Sequence, residues 1–492
     1  MKERMKVIDF KYTVVITTFF FFFIICTLSP ISGADWANYL IGKEGFINSI
    51  ENIYFNDGRI ISGFLINFFT YNKFLFNLSF SLLMSAFVYC CNCLLGYVKN
   101  KYFYLLPFLG TIIVGTFTFS YNYISVSSTL AYTFPAILTF IYFFIILKKD
   151  DNHFKLKEYI YLSLIAIYIS LSSIHISGIF LLGNVLFYLY SLKNKKDFDK
   201  KYFIIIIIQA ICFILALSYV DKELFYNNII NISLSNIPRY IDTIFSKNIV
   251  LLLLGAIPIN YYLNIELKDF IYKRVIITLF DIILIFSLAY NFFYYSPVNL
   301  NLIINKYFGV FAVENWYYIF YFIIYMILFF LSINKFIQNR KVKNFYKLFA
   351  LLSLLISICL LISPIWDEGN TIFIILFMIS SISILLKELD IPIYPKVTIF
   401  ITISLIIYYL SMFSITKYID VTREEYIKEQ LNANETIIEV KANPIYLVYR
   451  YNPVNIFQQR DFKRYYNIPQ EKELNVKYLG IFEKIEKKVK EE

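Results

Sequence analysis

The sequence predicts an all-α polytopic membrane protein of about thirteen transmembrane helices, within a range of 11 to 14, closed by a small α/β extracytoplasmic C-terminal segment. Three observations carry that expectation. Of 492 residues, 59% are hydrophobic and only 16% charged, too apolar a balance for a soluble multidomain chain. Apolar stretches near the roughly 20 residues that cross a bilayer recur from residue 12 to residue 414. Lysine and arginine are shared unevenly between alternate loops, as the positive-inside rule requires of a membrane chain.

The spans fall at about 12–30, 74–97, 102–119, 131–147, 158–173, 175–191, 202–220, 248–264, 275–292, 316–333, 347–363, 371–386 and 397–414. The first, FKYTVVITTFFFFFIICTLSP, follows a short basic region as a signal peptide would. It is longer than a signal core and no A-x-A-like site follows it, so it reads as a retained helix. Segment 59–72 is apolar but short, and reads as re-entrant or interfacial.

With MKERMK cytoplasmic, the inside segments 1–11, 98–101, 148–157, 192–201, 265–274, 334–347 and 387–396 hold 25 Lys and Arg. The outside loops hold 7: Lys43, Arg59, Lys73, Lys222, Arg239, Lys247 and Lys306. Thirteen crossings then leave the chain outside from about residue 415. The net charge of +11 is accounted for by this bias, so no nucleic-acid partner is expected.

Two parts follow: a transmembrane domain, 1–415, with a first exterior loop at 31–58, and an extracytoplasmic segment, 416–492. In the latter, DVTREEYIKEQLNAN reads as a helix begun by a Thr422/Glu425 capping box and ended by an Asn-rich turn. TIIEVKANPIYLVYRYNP reads as two strands, and Phe462, Tyr465, Tyr466 and Ile468 supply apolar surface. The six cysteines (Cys26, Cys90, Cys91, Cys93, Cys212, Cys359) all fall in apolar spans, so no disulfide framework is implied. Cys90, Cys91 and Cys93 diverge around one helix, which argues against a metal site.

Ionisable groups near membrane depth are costly unless paired or hydrated, so they mark function more often than elsewhere. Here they cluster outside. The segment from Trp36 to Tyr54 places Trp36, Leu40, Ile47, Ile50 and Tyr54 on one helical face, the pattern of an amphipathic helix lying on the outer membrane surface. Asp35 precedes it, as a helix cap or a functional acid. Asn56-Asp57-Gly58-Arg59 follows it; these are turn residues and a snorkelling arginine, or an acid and a cation placed where an apolar segment begins. Elsewhere His175, Arg239, Asp367 and Glu368 lie in exterior turns, and Asp281 sits mid-span, where it must face the bundle interior. Most of the 44 Tyr and 52 Phe are lipid-facing or belt residues; Trp36, Tyr54, Tyr121, Tyr123, Trp316 and Trp366 are the candidates for stacking on a ligand.

This layout resembles the GT-C superfamily of polytopic glycosyltransferases. More narrowly, Asp35-Trp36 followed by Asp57-Gly58-Arg59, and Asp461-Phe462-Lys463-Arg464-Tyr465-Tyr466-Asn467-Ile468 near the end, are similar to bacterial serotype-converting glucosyltransferases and related polysaccharide-modifying membrane proteins. Those proteins often carry an acidic pair early in the loop, where this chain has only Asp35. The resemblance implies a bacterial cytoplasmic (inner) membrane enzyme that moves a sugar from a polyprenyl-phosphate donor to a cell-surface glycan or lipid-linked acceptor on the exterior face. Asp57 or Asp35 would be the base, and Arg59 and Arg239 would hold the donor phosphate. From the residues themselves, His175 reads as a satisfied structural histidine or a cavity residue, Asp367 and Glu368 as solvated loop acids or cavity residues, and Trp36 as a further cavity candidate. The partners implied are membrane lipid, the polyprenyl-linked sugar and the glycan acceptor. No cofactor is expected; a divalent metal and the oligomeric state are left open. The alternatives are a transporter or flippase of lipid-linked sugars, which predicts inverted repeats and membrane-centre charges, and a polysaccharide polymerase, which predicts larger exterior loops in the second half.

Overall fold

The computed structural model describes residues 2–31, 35–45, 59–148, 154–194, 201–218, 244, 248–294, 316–362, 368–441 and 456–477. Helices dominate. They are α1 (Lys2–Leu28), α2 (Asp35–Lys43), α3 (Ile60–Tyr71), α4 (Lys73–Leu95), α5 (Leu106–Ile113), α6 (Val126–Lys148), α7 (Leu156–Ser170) and α8 (Ile174–Asn194). Beyond these come α9 (Tyr202–Ser218), α10 (Ile249–Glu266), α11 (Lys273–Tyr294), α12 (Trp316–Phe336), α13 (Arg340–Ile362), α14 (Ile372–Glu388) and α15 (Pro395–Asn432). The chain closes with β1 (Ile437–Lys441), α16 (Ile456–Tyr465) and β2 (Glu473–Lys477).

Each stretch expected to span the membrane overlaps a described helix, but length and hydropathy together single out fewer. Among the described residues, six helices are long and apolar enough to cross: α1 from Asp9, α4, α6, α8 to Leu192, α10 and α15. Stretch 102–119 is not one continuous helix. After a 3₁₀ turn at Lys101–Leu105, α5 stops at Ile113, and the chain resumes as a separate short turn at Thr116–Phe119.

Packing follows the rule for a bundle solvated by lipid, in which both faces of a helix stay apolar. On α12, Tyr325, Phe329 and Ile333 are fully buried, whereas Phe320, Ile324 and Ile327 on the other face are more than half exposed. Helix α14 lies at the centre, with every residue from Ile372 to Leu386 buried. Hydroxyls inside the bundle return their proton to the backbone one turn earlier, as Thr18 does to Val14, Ser85 to Ser81 and Thr402 to Thr398. Asp281, half-buried on α11, accepts a hydrogen bond from Asn260 Nδ2 of α10 at 2.8 Å, which gives this mid-span acid a structural partner.

Three helices close on an Asp or Asn in the left-handed region, Asp390 after α14 (φ 51°), Asn434 after α15 (φ 56°) and Asn467 after α16 (φ 55°). In each, the next amide reaches back to a carbonyl of the last turn: Ile391 to Leu386, Glu435 to Gln430, Ile468 to Lys463. The Asn-rich stop expected at 432–434 is therefore real. The start expected at Thr422 is not: α15 runs unbroken for 38 residues through the boundary near 415, and the Thr422 hydroxyl bonds Tyr418 and Ile419 carbonyls within it. No Gly or Pro falls between residues 396 and 432 to break the helix, and a local capping signature alone does not end it.

In the tail, β1 pairs in parallel with β2, in register Ile437 with Glu473 through Lys441 with Lys477, and α16 lies between them in the chain. A parallel pair needs a crossover, which α16 helps to supply. Only the first of the two strands expected at 436–453 is described; its partner, ELNVK, lies downstream, and 442–455 is outside the described residues. The Gln430 side chain of α15 pairs with Glu439 of β1 as a strand would, donating to its carbonyl at 2.9 Å and accepting from its amide at 2.7 Å.

The first loop is built into this tail. Trp36, fully buried, joins Ile427, Ile438, Val440, Phe462 and Ile468 in a separate small core. Its indole N–H donates to the Ile31 carbonyl at 3.0 Å. Trp36 is thus taken up in packing rather than facing a cavity, while α2 stays half-buried from Ala37 to Ile41 with Lys43 exposed. On its other side α2 meets α3 so closely that a Cβ on Gly42 would stand 2.3 Å from the Asn67 carbonyl oxygen. Residues 46–54 of the expected surface helix lie outside the described residues.

Candidate functional site

The break after α5 is a polar stretch within the bundle interior, and its sequence explains it. VGTFTFSYNYISVSSTLAYT (114–133) replaces the Leu/Ile-rich pattern with Gly, Ser, Thr and Asn, side chains that compete for backbone hydrogen bonds. Two π-helical turns result, Ser120–Ile124 and Thr129–Thr133, separated at Ser125. The Thr129 and Thr133 hydroxyls both donate to the Asn122 carbonyl, at 3.0 and 2.6 Å. Such turns are uncommon and often accompany functional sites. Helix α15 braces the break: Tyr409 stacks on Phe119 with ring centroids 4.1 Å apart, and its hydroxyl donates to the Val114 carbonyl at 3.0 Å.

Asp35 docks onto this hub. Its Oδ2 accepts from the Val126 amide at 2.9 Å and its Oδ1 from the Ser127 amide at 3.1 Å, with the Ser125 hydroxyl at 3.4 Å from Oδ2. The carboxylate therefore caps α6, a helix far along the chain, although it stands at the head of its own helix α2. Negative charge at a helix N-terminus is favourable both for the amides it satisfies and for the dipole it meets. Burial pushes the Asp35 carboxyl above the ordinary range, opposed by the Ser127 and Val126 hydrogen bonds and by the Lys73 charge.

Arg59 reaches the second π-turn. Its Nη2 donates to the Tyr132 hydroxyl at 2.7 Å, and its guanidinium carbon stands 5.1 Å from the centre of that ring. The 3₁₀ turn Glu368–Thr371 arrives on the same tyrosine, where a Cβ on Gly369 would overlap the ring at 2.3 Å from Cδ2. The α7–α8 turn joins beside Arg59: the Ile61 amide donates to the Leu171 carbonyl, and the Ser62 hydroxyl to that of Ser172, at 2.6 Å. His175, half-buried, is the second residue of α8, three positions beyond that turn. The side-chain Oδ1 of Asn122, a residue 1% exposed, and the Tyr123 hydroxyl have no hydrogen-bond partner among the described residues.

Of the residues singled out from sequence, Asp35, Arg59 and the turn that Glu368 opens thus converge on 125–132, with His175 close by. Asp57, Arg239 and Asp367 lie outside the described residues.

A second group at this end was not singled out. Asp420 on α15 receives the Tyr466 hydroxyl at 2.9 Å and faces Lys417 at 3.8 Å. Lys73, at the head of α4, stands within Coulombic reach of Asp420, Lys417 and Asp35. Burial pushes the Tyr466 phenol well above its usual range, and the Asp420 charge adds to it. Phe74, next to Lys73, and Tyr418, next to Lys417, are 63% and 70% exposed, so the two lysines stand beside surface that lipid would cover. Chemically, the end of the bundle thus offers a buried carboxylate, a guanidinium and two ammonium groups next to a lipid-facing edge, a set suited to a phosphate on a lipid tail. The signal in sequence was slight: each lysine sits at the margin of an apolar run, where a snorkelling role suffices to explain it.

Comparison of the chain with protein-family models, with curated proteins and with solved structures gives no match.

Proposed function

We propose that this chain is a multi-pass glycosyltransferase of the bacterial cytoplasmic membrane, with about thirteen crossings, its N-terminus in the cytoplasm and its tail outside. It moves a sugar from a polyprenyl-phosphate carrier to a cell-surface glycan or lipid-linked acceptor. The observation that carries this reading is the convergence of Asp35, Arg59 and the Glu368–Thr371 turn on one polar break, beside Lys73, Lys417 and a lipid-facing edge.

In this reading Arg59 holds the donor phosphate, where a planar guanidinium suits bidentate contact, and Arg239 assists it. Lys73 and Lys417 draw the phosphate in from the membrane. Asp57, two residues before Arg59, takes the proton of the acceptor hydroxyl as that oxygen bonds to the anomeric carbon. The bond from that carbon to the phosphate oxygen breaks, and the electron pair leaves on polyprenyl phosphate, whose charge the cations offset. Asp35, with both oxygens engaged by backbone amides, positions the break instead of serving as the base. His175, Asp367 and Glu368 line the acceptor side.

The test is chemical. In cells lacking the chain, surface glycans analysed by mass spectrometry should lose one sugar substituent; wild type should restore it, and Asp57→Asn or Arg59→Ala should not, at equal membrane levels. Full restoration by both variants would overturn the site.

A further inference from the structure

The opposite end of the bundle carries a cavity that the proposed transfer does not use. Helices α4 and α6 are both 23 residues long, about 35 Å at 1.5 Å per residue. Both start beside the Asp35–Arg59 hub and both end here, at Cys93-Leu94 and at Leu147-Lys148, where α13 begins. Between these three ends lies an open cavity of about 600 Å³, within the size range of small-molecule sites.

Its lining divides into two parts. The inner wall is Leu94, Phe144 and Leu147 with Cys93; the rim is Lys148, Arg340 and Lys341, and among the described residues none of the lining is acidic. Lys148 Nζ rises 5.9 Å from the Phe144 ring, so its stem follows the apolar wall while its charge stays at the mouth. A fourth cation stands alongside: Lys11 Nζ is 3.1 Å from Cys93 Sγ and 4.9 Å from the centre of the Tyr89 ring. The head of α13 does not supply the attraction, because Asn339 Oδ1 already accepts from the Lys341 and Val342 amides. The positive field is that of the side chains.

We propose that this cavity is a binding site for an anionic phospholipid of the leaflet opposite the proposed transfer site. The phosphodiester sits among Lys148, Arg340 and Lys341, and an acyl chain follows Leu94, Phe144 and Leu147. A basic pocket where spanning helices end is the usual form of such sites, and each cation near the surface contributes comparably to holding the headgroup. The apolar wall selects a lipid over a free anion. The three cations at the rim select an anionic headgroup over a zwitterionic one.

The experiment uses the full-length protein in detergent, titrated with phosphatidylglycerol, phosphatidylcholine or inorganic phosphate, with bound lipid counted by native mass spectrometry and melting followed in parallel. Phosphatidylglycerol should bind and raise the melting temperature, and both effects should weaken with salt. Neither control should do so at equal concentration. The triple variant Lys148→Gln/Arg340→Gln/Lys341→Gln should lose on the order of a hundredfold in affinity, and Arg340→Gln alone roughly fivefold. All three residues are exposed, so folding should survive, as an unchanged lipid-free melt would show. Equal binding of phosphatidylcholine, an equal response to inorganic phosphate, or undiminished phosphatidylglycerol binding by Arg340→Gln would each overturn the proposal.

Discussion

Trp36, from the loop after the first helix, packs edge-on against Phe462, 426 positions further along the chain, with ring centroids 5.0 Å apart and planes at 78°. Loop and tail therefore lie at the same end of the bundle. If both face the same side of a membrane, an even number of crossings must separate them.

That parity can be read with single cysteines. With the six native cysteines replaced, Lys43→Cys in the loop and Glu471→Cys in the tail should react with a membrane-impermeant maleimide from the same side, the exterior under the proposed orientation. Labelling from opposite sides would refute the packing itself. Trp36→Ala should cost about 3–5 kcal/mol of tail stability, as loss of a fully buried large aromatic does, visible as faster proteolysis after residue 432.

Asp35 makes a prediction about pH. Its carboxyl is raised by burial, so between its unfolded value near 3.8 and its folded value the native state holds a proton that the unfolded state has released. Stability from this group is then greatest at acid pH and falls as pH rises through the folded value. Thermal melts of the detergent-solubilised protein should show this slope, and Asp35→Asn should flatten it. Asp35→Ala should be worse at every pH, by about 1–3 kcal/mol for each of the Val126 and Ser127 amides left buried without an acceptor.

At the second π-turn, Tyr132→Phe keeps the ring over which Arg59 lies and removes only the hydroxyl. Glycan modification should fall about tenfold as the guanidinium loses its orientation. Arg59→Ala should lower it by more than a hundredfold. Arg59→Lys should fall between them, because charge survives and bidentate geometry does not.

Gly369→Ala adds one methyl where the Tyr132 ring already stands. The ring must shift and Arg59 with it, so modification should drop while membrane levels hold. Gly42→Ala presses instead on the backbone carbonyl of Asn67, which cannot rotate away. It should destabilise the α2–α3 contact by about 1–3 kcal/mol, read as a lower melting temperature.

Sequence alone made the helical, membrane-bound class legible because bilayer solvation writes itself into composition and period. It also found Asp35 and Arg59, since charge is conspicuous against an apolar background. It missed what depends on distant partners. Asp35 at the head of a helix looks like a local cap, and only the fold shows that it serves Val126. Trp36 on an amphipathic face looks lipid-bound until the tail arrives to cover it. The span at 102–119 looked continuous because hydropathy does not register the Ser, Thr and Asn hydroxyls and amides that bend 114–133 into π-turns. Strand β2 escaped because ELNVK is short and half polar, and its pairing with β1 is non-local.

Helix α15 links these parts mechanically. At 38 residues it is about 57 Å long, nearly twice a hydrocarbon core of about 30 Å. One end is fastened to β1 through Gln430, and its middle rests on the polar break through Tyr409. The tail sheet and the polar break are therefore joined by one unbroken rod, with no turn between Tyr409 and Gln430.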